Sequence, residues 1–259
     1  MMKLLGRTQP LADYPVLRAL EILQGLGFDG VEICLETEEM APEDLTPQKV
    51  AAVRQSVIEL GLQPFSISYH QDFVYSNAYY ETTREAIQLT PEFGTEIFVL
   101  SGPQKRTGDE REWSRMVERT RGLAEVAERC GVILAEEFEP GFVVGSTSDL
   151  LRLFDEVDSP ALAANLDLGH VFLCDRDPIE AIRKVGSQIV HCHIENMATG
   201  IHDHLLPHEG DMDLKLYLSA LKDSGYDGPL SLDLYKYDYE VVAPDALAYL
   251  RELLNELED

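Results

Sequence analysis

One phrase recurs along the chain and restricts what it can fold into: an amphipathic helical stretch, a glycine, then a short run rich in Val, Ile, Leu and Phe. It reads LQGLGFDGVEICL, VIELGLQPFSIS, TPEFGTEIFVL, AERCGVILAEEF, RKVGSQIVHCHI and LKDSGYDGPLSLDLY. Glycine directly after a helix supplies the left-handed residue that ends it, and an apolar run of strand length behind it reads as a buried strand. The six glycines, Gly27, Gly61, Gly94, Gly131, Gly186 and Gly225, are separated by 34, 33, 37, 55 and 39 residues. The longest interval contains a further apolar run, ALAANLDL, entered through Ser159 and Pro160. With a first strand near Lys3 to Gly6 the count reaches eight, or about 32 residues per unit in a chain of 259.

Strands alternating with helices at this period imply a parallel sheet. Eight units in one domain spanning residues 1–259 predict an α/β fold, a single closed (β/α)8 TIM barrel. The intervening helices fit. Residues 47–60 follow Thr46 as candidate N-cap, with Pro47 at the first helical position. Residues 109–130 carry Asp109, Glu110 and Glu112 in the first turn, beside the positive end of the helix dipole. Trp113 falls in that helical pattern and reads as packing, while Tyr75, Tyr79 and Tyr80 follow the third strand and either wall a pocket or brace a loop.

The charge balance narrows the partners. With 47 acidic against 21 basic residues the net charge is −26, so nucleic acid and anionic membrane surfaces are poor partners. No apolar run is long enough for a signal h-region or a membrane span, which leads us to expect a cytoplasmic protein. Cys34, Cys130, Cys174 and Cys192 form no CxxC pair and suit buried reduced thiols. Self-association into a homo-oligomer stays open.

In such a barrel, active sites lie at the carboxyl ends of the strands. There the candidate strands present Glu32 and Glu36, His70, Ser101 and Gly102, then Glu137, Asp167, His193 and Asp233. The last four stand near the ends of four consecutive strands, 30, 26 and 40 residues apart. Divalent metals need oxygen or imidazole donors converging on one point, and neighbouring strands supply one donor each. Period two puts His191, His193 and Glu195 on one face of the seventh strand, with Cys192 and Ile194 on the other. That leaves His191 either a ligand or substrate contact or a packing residue behind His193.

Over most of its length the chain resembles the xylose isomerase-like sugar isomerase/epimerase superfamily. The resemblance rests on GFDGVEI, ILAEEFEPG, NLDLGH, IVHCHIENM with HDHLLPHEGDMD, and GYDGPLSLDLY. It implies one divalent metal ion (Mn2+, Mg2+, Co2+ or Zn2+) on Glu137, Asp167, His193 and Asp233, with His170 touching substrate. At the last ligand the chain departs from the family pattern, carrying Asp233 where glutamate is usual.

The implied activity is isomerisation or epimerisation of a sugar-like α-hydroxy carbonyl compound through a cis-enediolate. Glu137 and Asp233 would move protons, and Glu32, His70, Glu139, His170 and Glu209 would contact substrate. A dehydratase, a metal- or sugar-binding barrel without turnover, and a zinc-dependent apurinic endonuclease-like phosphodiesterase are the alternatives, the last fitting the acidity poorly. The 196–213 segment, with His202, His204, His208 and Glu209, reads as a loop covering substrate or, as in three-zinc endonucleases, holding a second metal. Asp213 is the expected N-cap of the following helix.

Overall fold

The barrel strands are short and lie in chain order around a ring. In the computed structural model, which describes residues 2–258, the strands are β1 (Leu4–Arg7), β2 (Gly30–Cys34), β3 (Gln63–Ser68), β4 (Ile97–Ser101), β5 (Ile133–Glu137), β6 (Leu162–Asp167), β7 (Ile189–Ile194), β8 (Asn196–Ala198), β9 (Ile201–Leu205) and β10 (Leu230–Leu232). The helices are α1 (Val16–Leu26), α2 (Pro47–Glu59), α3 (Asn77–Phe93), α4 (Glu110–Cys130), α5 (Thr147–Val157), α6 (Leu168–Cys174), α7 (Pro178–Val185), α8 (Leu214–Asp223) and α9 (Tyr239–Glu256). Strands β1 to β7 and β10 form one closed parallel barrel, sealed where Leu4 and Leu5 of β1 meet Leu230 and Ser231 of β10. The expected (β/α)8 architecture is the one observed.

Three local differences matter for the site. β1 reaches Arg7, so this residue belongs to the ring. β10 stops at Leu232, and Asp233 to Tyr235 leave the ladder just above it. The segment expected as a covering loop instead folds in part into an antiparallel hairpin, with β8 pairing β9.

Capping explains where the helices begin and end. The Thr46 hydroxyl accepts the Lys49 N–H at 3.2 Å, and the Asp109 carboxylate accepts those of Arg111 and Glu112 at 3.0 Å each. Gly27, Gly94 and Gly131 close α1, α3 and α4 in the left-handed region, whereas Gly186 after α7 takes φ 55° and ψ −127° and is not such a cap. Asp213 precedes α8, but its side chain makes no capping bond.

Outward strand residues such as Val31, Ile33, Phe98, Leu134 and Ile194 belong to one continuous apolar core with the helices. Trp113 joins it, its indole N–H donating to Glu156 at 3.0 Å. Tyr75 and Tyr80 brace arginines, with the guanidinium of Arg106 3.7 Å over the first ring and that of Arg119 4.3 Å over the second. All four cysteines are free, Cys34 and Cys192 buried, Cys130 and Cys174 half-buried. Among the described residues no helix is long and apolar enough to cross a membrane.

The segment after β4 is pinned by Glu112. Its carboxylate accepts the backbone N–H groups of Arg106, Thr107 and Gly108 at 2.7, 3.0 and 2.5 Å, and the Tyr75 hydroxyl. Burial alone would raise its pKa, but these donors overrule it and bring the carboxyl down to about 2. An unfolded glutamate titrates near ~4.3. Because the folded value is depressed, the stabilisation is full above the unfolded pKa and lost as pH falls through the folded one. We expect Glu112→Gln to lower the melting temperature at pH 6, and the gap from wild type to close between about pH 4.5 and 2 in a thermal unfolding series.

Candidate active site

The carboxyl ends of β5, β6, β7 and β10 place four polar side chains in one layer. In the ladder Asp167 lies beside His193, and His193 beside Ser231, two residues before Asp233. His193 Nδ1 is 3.2 Å from a Glu137 oxygen, 4.0 Å from Asp167 Oδ2 and 3.7 Å from Asp233 Oδ2. All four side chains are almost wholly buried. The structure thus brings together the four residues that spacing had singled out.

The tautomer of His193 follows from what lies behind it. Its Nε2 is 3.1 Å from Glu32 Oε2, so the ring donates there and turns Nδ1 toward the three carboxylates. A carboxylate behind a histidine in this way is the usual support of a metal-ligating ring. Asp167 Oδ2 is buried with no hydrogen-bond partner. Burial disfavours a protonated His193, yet Glu32 and Glu137 raise its pKa to about 10. An orphaned carboxylate oxygen, an imidazole that a cation would displace a proton from, and a strong local preference for positive charge together fit a divalent cation.

Glu137 is held from several sides. Asn165 donates to its Oε2 at 2.7 Å, His70 lies 3.3 Å from the same oxygen, and His170 Nδ1 lies 3.3 Å from Oε1. Burial opposes its ionisation, but His193, His170 and His70 keep it well below the usual carboxylate range. Glu36 in turn accepts both the backbone N–H and ring Nδ1 of His70 at 2.8 Å, which fixes that ring's direction. His191 lies beneath, bonded to Asn165 Oδ1 and Ser66 Oγ at 2.9 Å each. It is therefore the packing residue of its two readings.

Above this layer opens a cavity of about 350 Å³, lined by His70, Glu137, Glu139, His170, His204 and Tyr235 among others. The hairpin β8–β9 supplies one wall, with His202 Nε2 2.9 Å from His170 Nε2. Burial, and then Glu137 nearby, push the Glu139 carboxyl upward. A second cavity of about 410 Å³ shares His70 and Glu139 and extends past Ser101 and Lys105, making the cleft two-lobed.

Two expected substrate contacts are corrected. Glu32 has no exposed surface and is engaged by Arg7 Nε at 3.0 Å as well as by His193, so it supports the site from below. Glu209 is exposed, accepts the Tyr237 hydroxyl at 3.4 Å and does not line the cavity. His70, Glu139 and His170 do line it. Sequence reading missed Asn165, Arg7 and Tyr235. Asn165 carried a usable signal, since it lies two before Asp167 on the same strand and shares its inward face.

The xylose isomerase-like TIM barrel family model matches residues 20–253. The chain belongs to that family. Among its relatives, the L-ribulose-5-phosphate 3-epimerase of Escherichia coli is 25% identical over 235 residues, covering 85% of this chain and 82% of the relative. The fructoselysine 3-epimerase of Shigella flexneri is 24% identical over 260 residues, covering 93% and 94%. The solved structure of the probable 3-DHS dehydratase AsbF of Bacillus anthracis superposes with a TM-score of 0.83 at 18% identity, covering 96% of this chain and 99% of that one, a likeness of fold.

If Glu32 works through His193, Glu32→Gln should weaken Mn2+ binding by about 10–100-fold, the usual cost of losing a ligand's outer partner. Calorimetric titration of chelator-treated protein measures it, with circular dichroism as the check on folding.

Proposed function

We propose that the protein is a divalent-metal-dependent epimerase of a ketose-like sugar, inverting a carbon next to the carbonyl through a cis-enediolate. The observation that carries this reading is the buried cup around His193 Nδ1, where Glu137, Asp167 and Asp233 converge beneath a polar cleft. That the two curated relatives described above are named 3-epimerases supports it. When bound, the cation would draw on carbonyl and neighbouring hydroxyl oxygens and stabilise the negative charge of the enediolate. Glu137, Asp167 and His193 would hold it, with Asp233 as the fourth group of the cup.

The chain's own groups do the rest. Glu137, kept ionised by its histidines and oriented by Asn165, takes the carbon-bound proton on one face of the substrate. Asp233 comes from the other side of the cup, and Arg7 keeps its carboxyl below the usual range against the cost of burial. A solvent-derived proton delivered on that side, through water held by Asp233 and the Tyr235 hydroxyl, gives the inverted carbon while Glu137 releases its proton to solvent, so bonds and electrons balance with no redox partner. His170, Glu139 and His70 bind the substrate oxygens along the cleft. The hairpin β8–β9 limits the access of water to the intermediate.

The test is a panel of ketoses and ketose phosphates incubated with Mn2+-loaded protein in heavy water and followed by NMR. The expected result is deuterium at the carbon beside the carbonyl together with the epimer, and Glu137→Gln slowing the exchange by about 10³-fold or more. Loss of water from the product would make the chain a dehydratase. Binding of sugar with no deuterium incorporation would leave a barrel without turnover.

A further inference from the structure

Asp233 differs from the other three groups in being paired with a buried, permanently charged arginine. Its Oδ1 is bonded to Arg7 Nη1, and its Oδ2 accepts the Tyr235 hydroxyl at 2.9 Å. Arg7 itself is wholly buried and spans from Asp233 to Glu32, while a second bond of its Nη1 reaches the Tyr235 oxygen at 3.0 Å. The donor atoms of Glu137, Asp167 and His193 lie within 4.8 Å of one another, a group that does not include Asp233. A neighbouring group, Asp167, Glu195, His204 and Asp233, meets the same limit. There His204 Nδ1 donates to the Asp233 carbonyl at 3.0 Å, so the atom facing those carboxylates carries a proton instead of a lone pair.

Resting on the reading that a divalent cation occupies the His193 cup, we propose that its protein ligands are Glu137, Asp167 and His193 alone. Arg7 holds Asp233 off the cation, and the Arg7–Asp233 pair instead fixes Tyr235 in the cleft lining. The aspartate in place of glutamate then has a physical reason. A side chain one methylene longer would have to push into the guanidinium or past it, whereas Asp233 stops at the arginine. Arg7 supplies a permanent charge that partly neutralises Glu32 and Asp233. Three protein donors with the remaining positions open is also the arrangement of catalytic as opposed to closed structural metal sites. Those open positions suit a substrate that offers two oxygens.

The experiment compares Mn2+ affinity by calorimetry in wild type, His193→Ala, Asp167→Asn and Asp233→Asn. Visible absorption of the Co2+-loaded forms reads the coordination directly. His193→Ala and Asp167→Asn should each lose about 100-fold or more in affinity, whereas Asp233→Asn, which removes a nearby charge but no ligand, should lose less than about 10-fold. The Co2+ spectrum of Asp233→Asn should match that of wild type. Should Asp233→Asn fail to fold, Asp233→Ser, which likewise leaves Arg7 paired with Glu32, is expected to give the same affinity and spectrum. An affinity loss for the Asp233 variants equal to that of His193→Ala, or a changed Co2+ spectrum, overturns the three-ligand assignment while leaving the metal centre standing. Absence of any saturable site in wild type overturns the metal centre and the assignment with it.

Discussion

Burying several carboxylates in one dry barrel mouth is unfavourable unless positive charge is buried with them, and the upper half of this molecule is arranged around that constraint. Glu32, Glu137, Asp167 and Asp233 are each at most 4% exposed. Ionised carboxylates cannot be taken out of water without pairing. Arg7 answers for Glu32 and Asp233. The imidazoles of His70, His170 and His193 answer for Glu137. Asp167 is the least satisfied of the set, with one oxygen capping α6 through the His170 N–H at 2.7 Å and the other unpartnered. The geometry that makes the place costly when empty of positive charge is what suits it to bind a cation.

Much of this was legible in the sequence because it depends on local rules. Glycine after helix and an apolar run after glycine gave the repeat; period two along β7 separated His191, His193 and Glu195 from Cys192 and Ile194. Residues at the ends of successive parallel strands fall in one layer, which is why Glu137, Asp167, His193 and Asp233 were found together. What those rules do not carry is which neighbour each side chain meets across the barrel. Glu32 looked like a cleft residue because it stands on the second strand facing inward, and only the approach of Arg7 and His193 shows that it is covered. Glu209 lay in a segment rich in ligand-type residues, yet the turn after β9 directs it to solvent. Composition drew attention to both, and tertiary contacts separated them.

Side chains that only hold other side chains were the least visible. Asn165, His191 and Ser66 form a buried chain from β3 through β7 to β6 that ends on Glu137. Ser66 and Asn165 are unremarkable polar residues when read alone, and period two places His191 on the inward face without its partners. Together they fix the orientation of the carboxylate given the central chemical role, and this explains polar positions that a barrel selected for packing alone would have filled with Val or Leu.

Arg7 and Asp233 stand 226 residues apart, on the first strand of the ring and just beyond the last. They meet only when β1 and β10 pair and the ring closes. Until then Arg7 has only Glu32 to pair with, and Asp233 is without its buried cation. The complete charge arrangement of the mouth therefore exists only in the closed ring, and opening the β1–β10 seam alone would part Asp233 from its arginine.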